Sequence, residues 1–76
     1  MKKNYLLVNV YSDSKRGYSF VVYTEYTEND TEEVINACLK NELFQDEEDA
    51  YNCSIVEADD SDVTAFEYCK AVYDIA

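Results

Sequence analysis

Histidine and proline are absent from this sequence, glycine occurs once, and basic side chains number only six. Each scarcity closes off a class of explanation. Without histidine, the commonest general base near neutral pH and the usual zinc partner of cysteine are both missing. A lone glycine, Gly17, leaves no glycine-rich phosphate loop, and no GxSxG elbow or Cys/His pair takes its place. Two neighbouring carboxylates can do acid/base work only if one sits in an apolar pocket with a raised pKa, and a chain of 76 residues offers little depth for one. The expectation is a protein that is not an enzyme and needs no cofactor.

Other absences set location and organisation. No linker, repeat or low-complexity tract divides the chain, so one domain, 1–76, is expected. No apolar run reaches membrane-spanning length. The segment "MKKNYLLVNVYSDS" starts basic, but its apolar stretch is too short for a signal peptide and no small-residue cleavage site follows. A cytoplasmic location is expected by default. Three cysteines, Cys38, Cys53 and Cys69, lie far apart with no CxxC pair, which argues against a disulfide framework and for small thiols in the core.

What the chain has in excess is negative charge. Seventeen Asp and Glu against six Lys and Arg give a net charge of -11, yet 47% of the residues are hydrophobic, too many for a disordered acidic tail. Residues 1–16 hold Lys2, Lys3, Lys15 and Arg16 against Asp13, a net +3, whereas residues 17–76 hold only Lys40 and Lys70 against sixteen acids, a net -14. Residues 43–62, "LFQDEEDAYNCSIVEADDSD", contain eight carboxylates and no basic side chain. Charge of this kind disfavours nucleic acid and anionic membrane as direct partners and favours a basic protein surface or a cation.

The apolar pattern predicts ββαβα. "NYLLVNVYS", residues 4–12, and "YSFVVYTEYT", residues 18–27, read as a hairpin with Lys15 and Arg16 at its tip and Gly17 supplying a positive φ. "ENDTEEVINACLKNELF" changes to helical spacing, with Val34, Ile35, Cys38, Leu39 and Leu43 on one stripe over roughly residues 31–44. Asp30 and Glu33 are placed as a capping box. "AYNCSIVEA" reads as a third strand. In "DSDVTAFEYCKAVYDIA", Ala65, Phe66, Cys69, Val72, Tyr73 and Ala76 share a helical stripe, and Ser61 or Asp62 is placed as its cap. The expected fold is α+β: a three-stranded, mainly antiparallel sheet carrying two helices. Most of the eight tyrosines are expected to be half-buried packing residues.

Calcium or magnesium is one use for the acids. Counted as an EF-hand from Asp59, the chain has Lys70 where the bidentate Glu belongs; counted from Asp46 it has Glu57 there, but Tyr51 replaces the loop glycine. A solvated face is another use, yet a net charge beyond the usual range of about 2 to 8 for a small domain, with the acids segregated, calls for a separate cause. Duplex DNA carries a charge about every 1.7 Å of its axis, and a rigid row of carboxylates can occupy the same basic groove. The residues placed in that row are Glu42, Asp46, Glu47, Glu48, Asp49, Glu57, Asp59, Asp60 and Asp62, with Tyr51 offering a ring for Arg to stack on.

With segments such as "QDEEDAYN" and "EADDSD" in a short, proline-free, acidic chain, the sequence resembles the small anti-defence inhibitors of phages and mobile elements, the anti-CRISPR and antirestriction proteins of DNA-mimic type. The resemblance is one of size, charge and layout over the whole chain, and it carries no residue role across. It implies stoichiometric binding, without catalysis, to the nucleic-acid-binding surface of a host defence nuclease in the bacterial cytoplasm. The rival expectation is a regulatory or accessory interaction module that binds a partner protein through a hairpin edge or an apolar patch.

Overall fold

A computed structural model describes residues 2–11 and 16–75. The element order is β1 (Asn4–Val10), β2 (Tyr18–Thr24), α1 (Thr31–Lys40), a 3-10 turn (Glu47–Tyr51), β3 (Cys53–Glu57), α2 (Asp60–Tyr68) and β4 (Val72–Asp74). The α+β class and the two helices match the sequence pattern. The sheet does not: it has four strands in the order β3-β1-β2-β4, and β4 runs parallel to β2, so it is mixed rather than antiparallel throughout.

β1 and β2 pair antiparallel from Asn4↔Thr24 to Val10↔Tyr18, as the two runs of β-forming residues predict. The place expected for Lys15 at the hairpin tip lies outside the described residues. Gly17 does not have the expected positive φ. Its requirement is close approach instead, because a Cβ there would stand 2.7 Å from the Val10 carbonyl oxygen. The outer edges of the hairpin are covered in part: β3 pairs with β1 along Leu6–Val10 and β4 with β2 only along Val21–Tyr23. Of the hairpin, the part of β2 before Val21 keeps an edge that no other described strand covers.

Each return from edge to edge carries a helix over one face. The step from β2 to β3 passes leftward over β1 and the step from β3 to β4 passes back over β1 and β2, so right-handed crossovers put α1 and α2 on opposite faces. On the α1 face, Leu6, Val8, Val10, Phe20 and Val22 pack with Val34, Cys38 and Ile75 as the core. Phe20 is its centre, with the rings of Phe44 and Tyr73 edge-on at 5.8 and 5.9 Å. On the other face Val21 is fully buried, and Ser19 shares a concavity with Ala65, Phe66 and Cys69 of the α2 region.

Both helices end earlier than their apolar stripes suggest, and for one reason. Leu43 N–H donates to Cys38 O and Glu42 N–H to Leu39 O; Ala71 N–H donates to Phe66 O and Lys70 N–H to Glu67 O. Each pair is a Schellman motif, whose turning residue has left-handed φ and is usually glycine. Here the turning residues are Glu42 and Lys70, both at φ 57°. Helix α1 thus stops at Lys40 rather than 44, and α2 stops at Tyr68, releasing Val72 and Tyr73 to form β4. Shortening α2 splits its predicted stripe: Phe66 is half-buried, Ala65 and Cys69 are exposed, and no residue of α2 is fully buried. Of the three cysteines expected in the core, Cys38 is buried, Cys53 half-buried and Cys69 exposed.

The caps differ as well. Asp30 is the N-cap of α1, but its carboxylate accepts from the Thr27 N–H and hydroxyl at 2.9 and 3.1 Å and makes no bond to the helix, so no capping box with Glu33 forms. The cap of α2 is Asp59, ahead of the expected Ser61 or Asp62. Its carboxylate accepts from Asp62 N–H at 2.8 Å while the Asp62 carboxylate accepts from Asp59 N–H at 3.3 Å, a reciprocal box built from two acids.

Candidate partner-binding surface

The acidic stretch between α1 and β3 is tied to the sheet by one phenol. Tyr18 O–H donates to Asp49 Oδ2 at 2.6 Å and accepts from Gln45 N–H at 2.9 Å, joining the end of β2 to a segment about thirty residues later. Burial, then the bond to Asp49, pushes the Tyr18 hydroxyl up to about 12. Asp46 caps the 3-10 turn, accepting from Glu48 N–H at 3.2 Å, and the Asn52 amide donates to Glu48 O at 3.2 Å. Glu47 and Glu48 are thereby held on the outside, and Tyr51 is 89% exposed. Asp49 is not part of that outer surface: it is 3% exposed and serves as the buried acceptor that fixes the turn.

The second acidic stretch begins where β3 ends. Ala58 N–H donates to Tyr5 O, extending the β1–β3 ladder by one residue before the Asp59–Asp62 box starts α2. Asp59 and Asp62 each commit an oxygen to that box, while Glu57 and Asp60 are exposed on either side.

These two stretches sit at opposite ends of the same edge strand. Because β3 runs from Cys53 opposite Val10 to Glu57 opposite Leu6, the 3-10 turn lies at one end and the α2 start at the other, separated by about 13 Å of strand. Two further acids lie beside these two ends from the α1 side. Glu32 shares a groove with Ile35, Leu39, Ala50 and Tyr51, and Glu28 shares a concavity with Glu57, Asn4, Leu6 and Thr27. Neither was legible from sequence, since only the crossing of α1 over the sheet brings them to this edge. Glu42 is exposed just past α1, near the first stretch in sequence.

Within the described residues the acids meet little positive charge. Among the described residues a single ion pair forms, Lys3 Nζ to Asp74 Oδ1 at 2.6 Å, on the β4 side of the sheet, with Lys3 also 5.2 Å from the Tyr23 ring centre. The tyrosines divide evenly: Tyr5, Tyr18, Tyr23 and Tyr26 are half-buried, while Tyr11, Tyr51, Tyr68 and Tyr73 are exposed. Tyr73, 38% exposed, still packs its ring edge-on against Phe20, so five of the eight pack, as expected of most of them, while Tyr68, at the end of α2, stands at the surface.

Burial pushes the Cys38 thiol up to about 12 and raises Cys53, so both stay protonated, and Cys53 Sγ lies 3.5 Å from Ala50 O. Among the described residues, no three carboxylates or thiols are disposed to hold a metal ion together. Nor is any helix among them long and apolar enough to cross a membrane. Comparison with protein-family models, with curated proteins and with solved structures finds no match to this chain.

Proposed function

We propose that this protein is a non-catalytic inhibitor that seats the acidic β3 side of its fold in the nucleic-acid-binding groove of a basic protein, a host defence nuclease such as a CRISPR effector or restriction enzyme. The observation that carries this reading is the placement of two exposed acidic stretches at the two ends of one rigid edge strand. The stretch of β3 between them, about 13 Å long, is of the same order as the width of a DNA major groove, about 12 Å. Glu47 and Glu48 stand for one row, with Glu32 beside them, and Glu57, Asp59 and Asp60 for the other, with Glu28 beside Glu57.

Two physical features support it. With one internal ion pair among the described residues, the carboxylates are left to compensate charge elsewhere, and binding a row of Lys and Arg relieves their mutual repulsion and releases the counterions of the groove. Tyr51, exposed beside Glu32, offers the flat face on which an Arg guanidinium stacks. The test is plating of phage on cells that carry a defined restriction or CRISPR system and express this chain. Inhibition is expected to raise plating efficiency and to be lost on Asp59→Lys/Asp60→Lys; no rise against any of a panel of such systems refutes the proposal.

A second reading is favoured by one observation. The α1 groove gathers Ile35, Leu39, Ala50 and Tyr51 beside the polar Thr31, Glu32 and Asn36, which suits an accessory module that takes a partner's apolar side chains there. For that module, Leu39→Asp abolishes binding and added salt changes affinity little, the reverse of what charge mimicry requires.

A further inference from the structure

β3 and β4 are the edges of the sheet, and they are protected very differently. β4 has three residues, too few to template another strand. β3 has five, with neither proline nor lysine among them. The pairing register fixes which of its backbone groups are used. Tyr11 N–H donates to Asn52 O and Ala58 N–H donates to Tyr5 O, so the even-numbered residues from Asn52 to Ala58 face β1 across the ladder. The N–H and C=O groups of Cys53, Ile55 and Glu57 are directed away from it. No hydrogen bond to these six groups comes from outside the sheet among the described residues.

From this edge and the charge around it, we infer that β3 receives an extended, basic segment of the protein partner as a fifth strand. The inference rests on the reading of the acids as a surface for a cationic protein and adds the form in which that protein is held. The occupant follows from charge complementarity. A strand laid along Cys53, Ile55 and Glu57 has one end beside Glu47 and Glu48 and the other beside Glu57 and Asp60, so Lys or Arg at both ends meets a carboxylate. Main-chain bonds give such a strand affinity, and the alternating side chains meet half-buried Ile55 on one face and Val56, 44% exposed, on the other. A second copy of this chain fits poorly, because antiparallel pairing of two β3 edges sets the acids of one turn against those at the start of the other α2, on molecules that each carry a charge of -11.

The probe is a synthetic peptide of alternating Thr and Val with two lysines at each end, added to the intact protein at low salt. Its control has the same sequence and charge but every backbone amide N-methylated, which removes the donors. The expected result is that the plain peptide binds about tenfold or more tightly than its methylated form, and that amide exchange slows at Cys53, Ile55 and Glu57 while Ser54 and Val56, already in the ladder, change little. Equal binding of both peptides with no change at those amides overturns the strand inference while leaving the charge surface intact. Failure of both peptides to bind overturns it too, and the charge reading then stands on phage plating alone. A concentration-dependent dimer with the same three amides protected assigns the edge to self-pairing and also overturns it.

Discussion

Replacing Tyr18 by Phe isolates the bond that holds the acidic turn. The ring stays, so its stacking on Phe20 at 6.4 Å is retained, and only the hydroxyl with its two partners is lost. The bond from Gln45 N–H involves an exposed residue, whose amide water can satisfy, and contributes little. The bond to Asp49 is short and charge-assisted, and its acceptor is buried, a class of interaction whose loss costs about 1.5–3 kcal/mol. Taking about 2 kcal/mol, and a shift of about 4–8 °C per kcal/mol for a domain of this size, the melting temperature should fall by roughly 8–16 °C. Far-UV circular dichroism melts at neutral pH measure it. Amide exchange should also quicken over residues 47–51 more than in β1, because the turn loses its tether. A fall of less than about 3 °C, or exchange that quickens uniformly, would refute the claim that Tyr18 positions Glu47, Glu48 and Tyr51.

Other outcomes follow from the same geometry. Glu42→Gly and Lys70→Gly each relieve a left-handed residue, and after the added freedom of the unfolded chain is set against that relief, each should stabilise by about 0.5–1 kcal/mol. Urea midpoints should rise for both and rise further for the pair, whereas Ala at either position brings no gain. Tyr18 holds its proton more tightly folded than unfolded, so its contribution is complete below pH 10 and is lost as pH rises towards about 12; Cys38, raised from 9.0 to about 12, has the same sign. Urea stability should therefore decline across that alkaline window, and less steeply in Tyr18→Phe. A disulfide reagent such as DTNB should label exposed Cys69 within the mixing time and buried Cys38 only at the rate of unfolding.

The sequence shows the hairpin and the start of α1 because those depend on local pattern. Phe20, Val22 and Thr24 alternate as a strand does, and Val34 and Cys38 carry a helical stripe into the core. It conceals the helix ends because the chain uses Glu42 and Lys70 where the expected signal is glycine. Leu43 then extends the apparent stripe of α1 although it packs on the core from beyond the Schellman turn, and Val72 and Tyr73 extend that of α2 although they form a strand. Burial of Val21 on the second face follows from the return of α2 across the sheet, which alternation within β2 cannot reveal.

The candidate surface divides along the same line. Glu47, Glu48, Glu57, Asp59 and Asp60 stand out as charge runs and lie at the two ends of β3. Asp49 reads as one more acid of its run until Tyr18 reaches it from a distant strand, and Asp59 and Asp62 spend part of their capacity capping α2. Glu28 and Glu32 join the β3 side only through the path of α1. Charge in this protein has two duties, closing turns and facing outward, and sequence alone cannot sort the members of one run between them.

The most direct measurement compares two double charge reversals of equal size in the phage-plating assay. Glu47→Lys/Glu48→Lys alters one end of the β3 edge, while Glu25→Lys/Glu67→Lys makes the same change in net charge at exposed positions elsewhere. Placement of the carboxylates being what matters, the first should lower plating by at least about tenfold and the second should leave it near that of the unaltered protein. Equal loss from both, or loss from the second alone, would contradict the account.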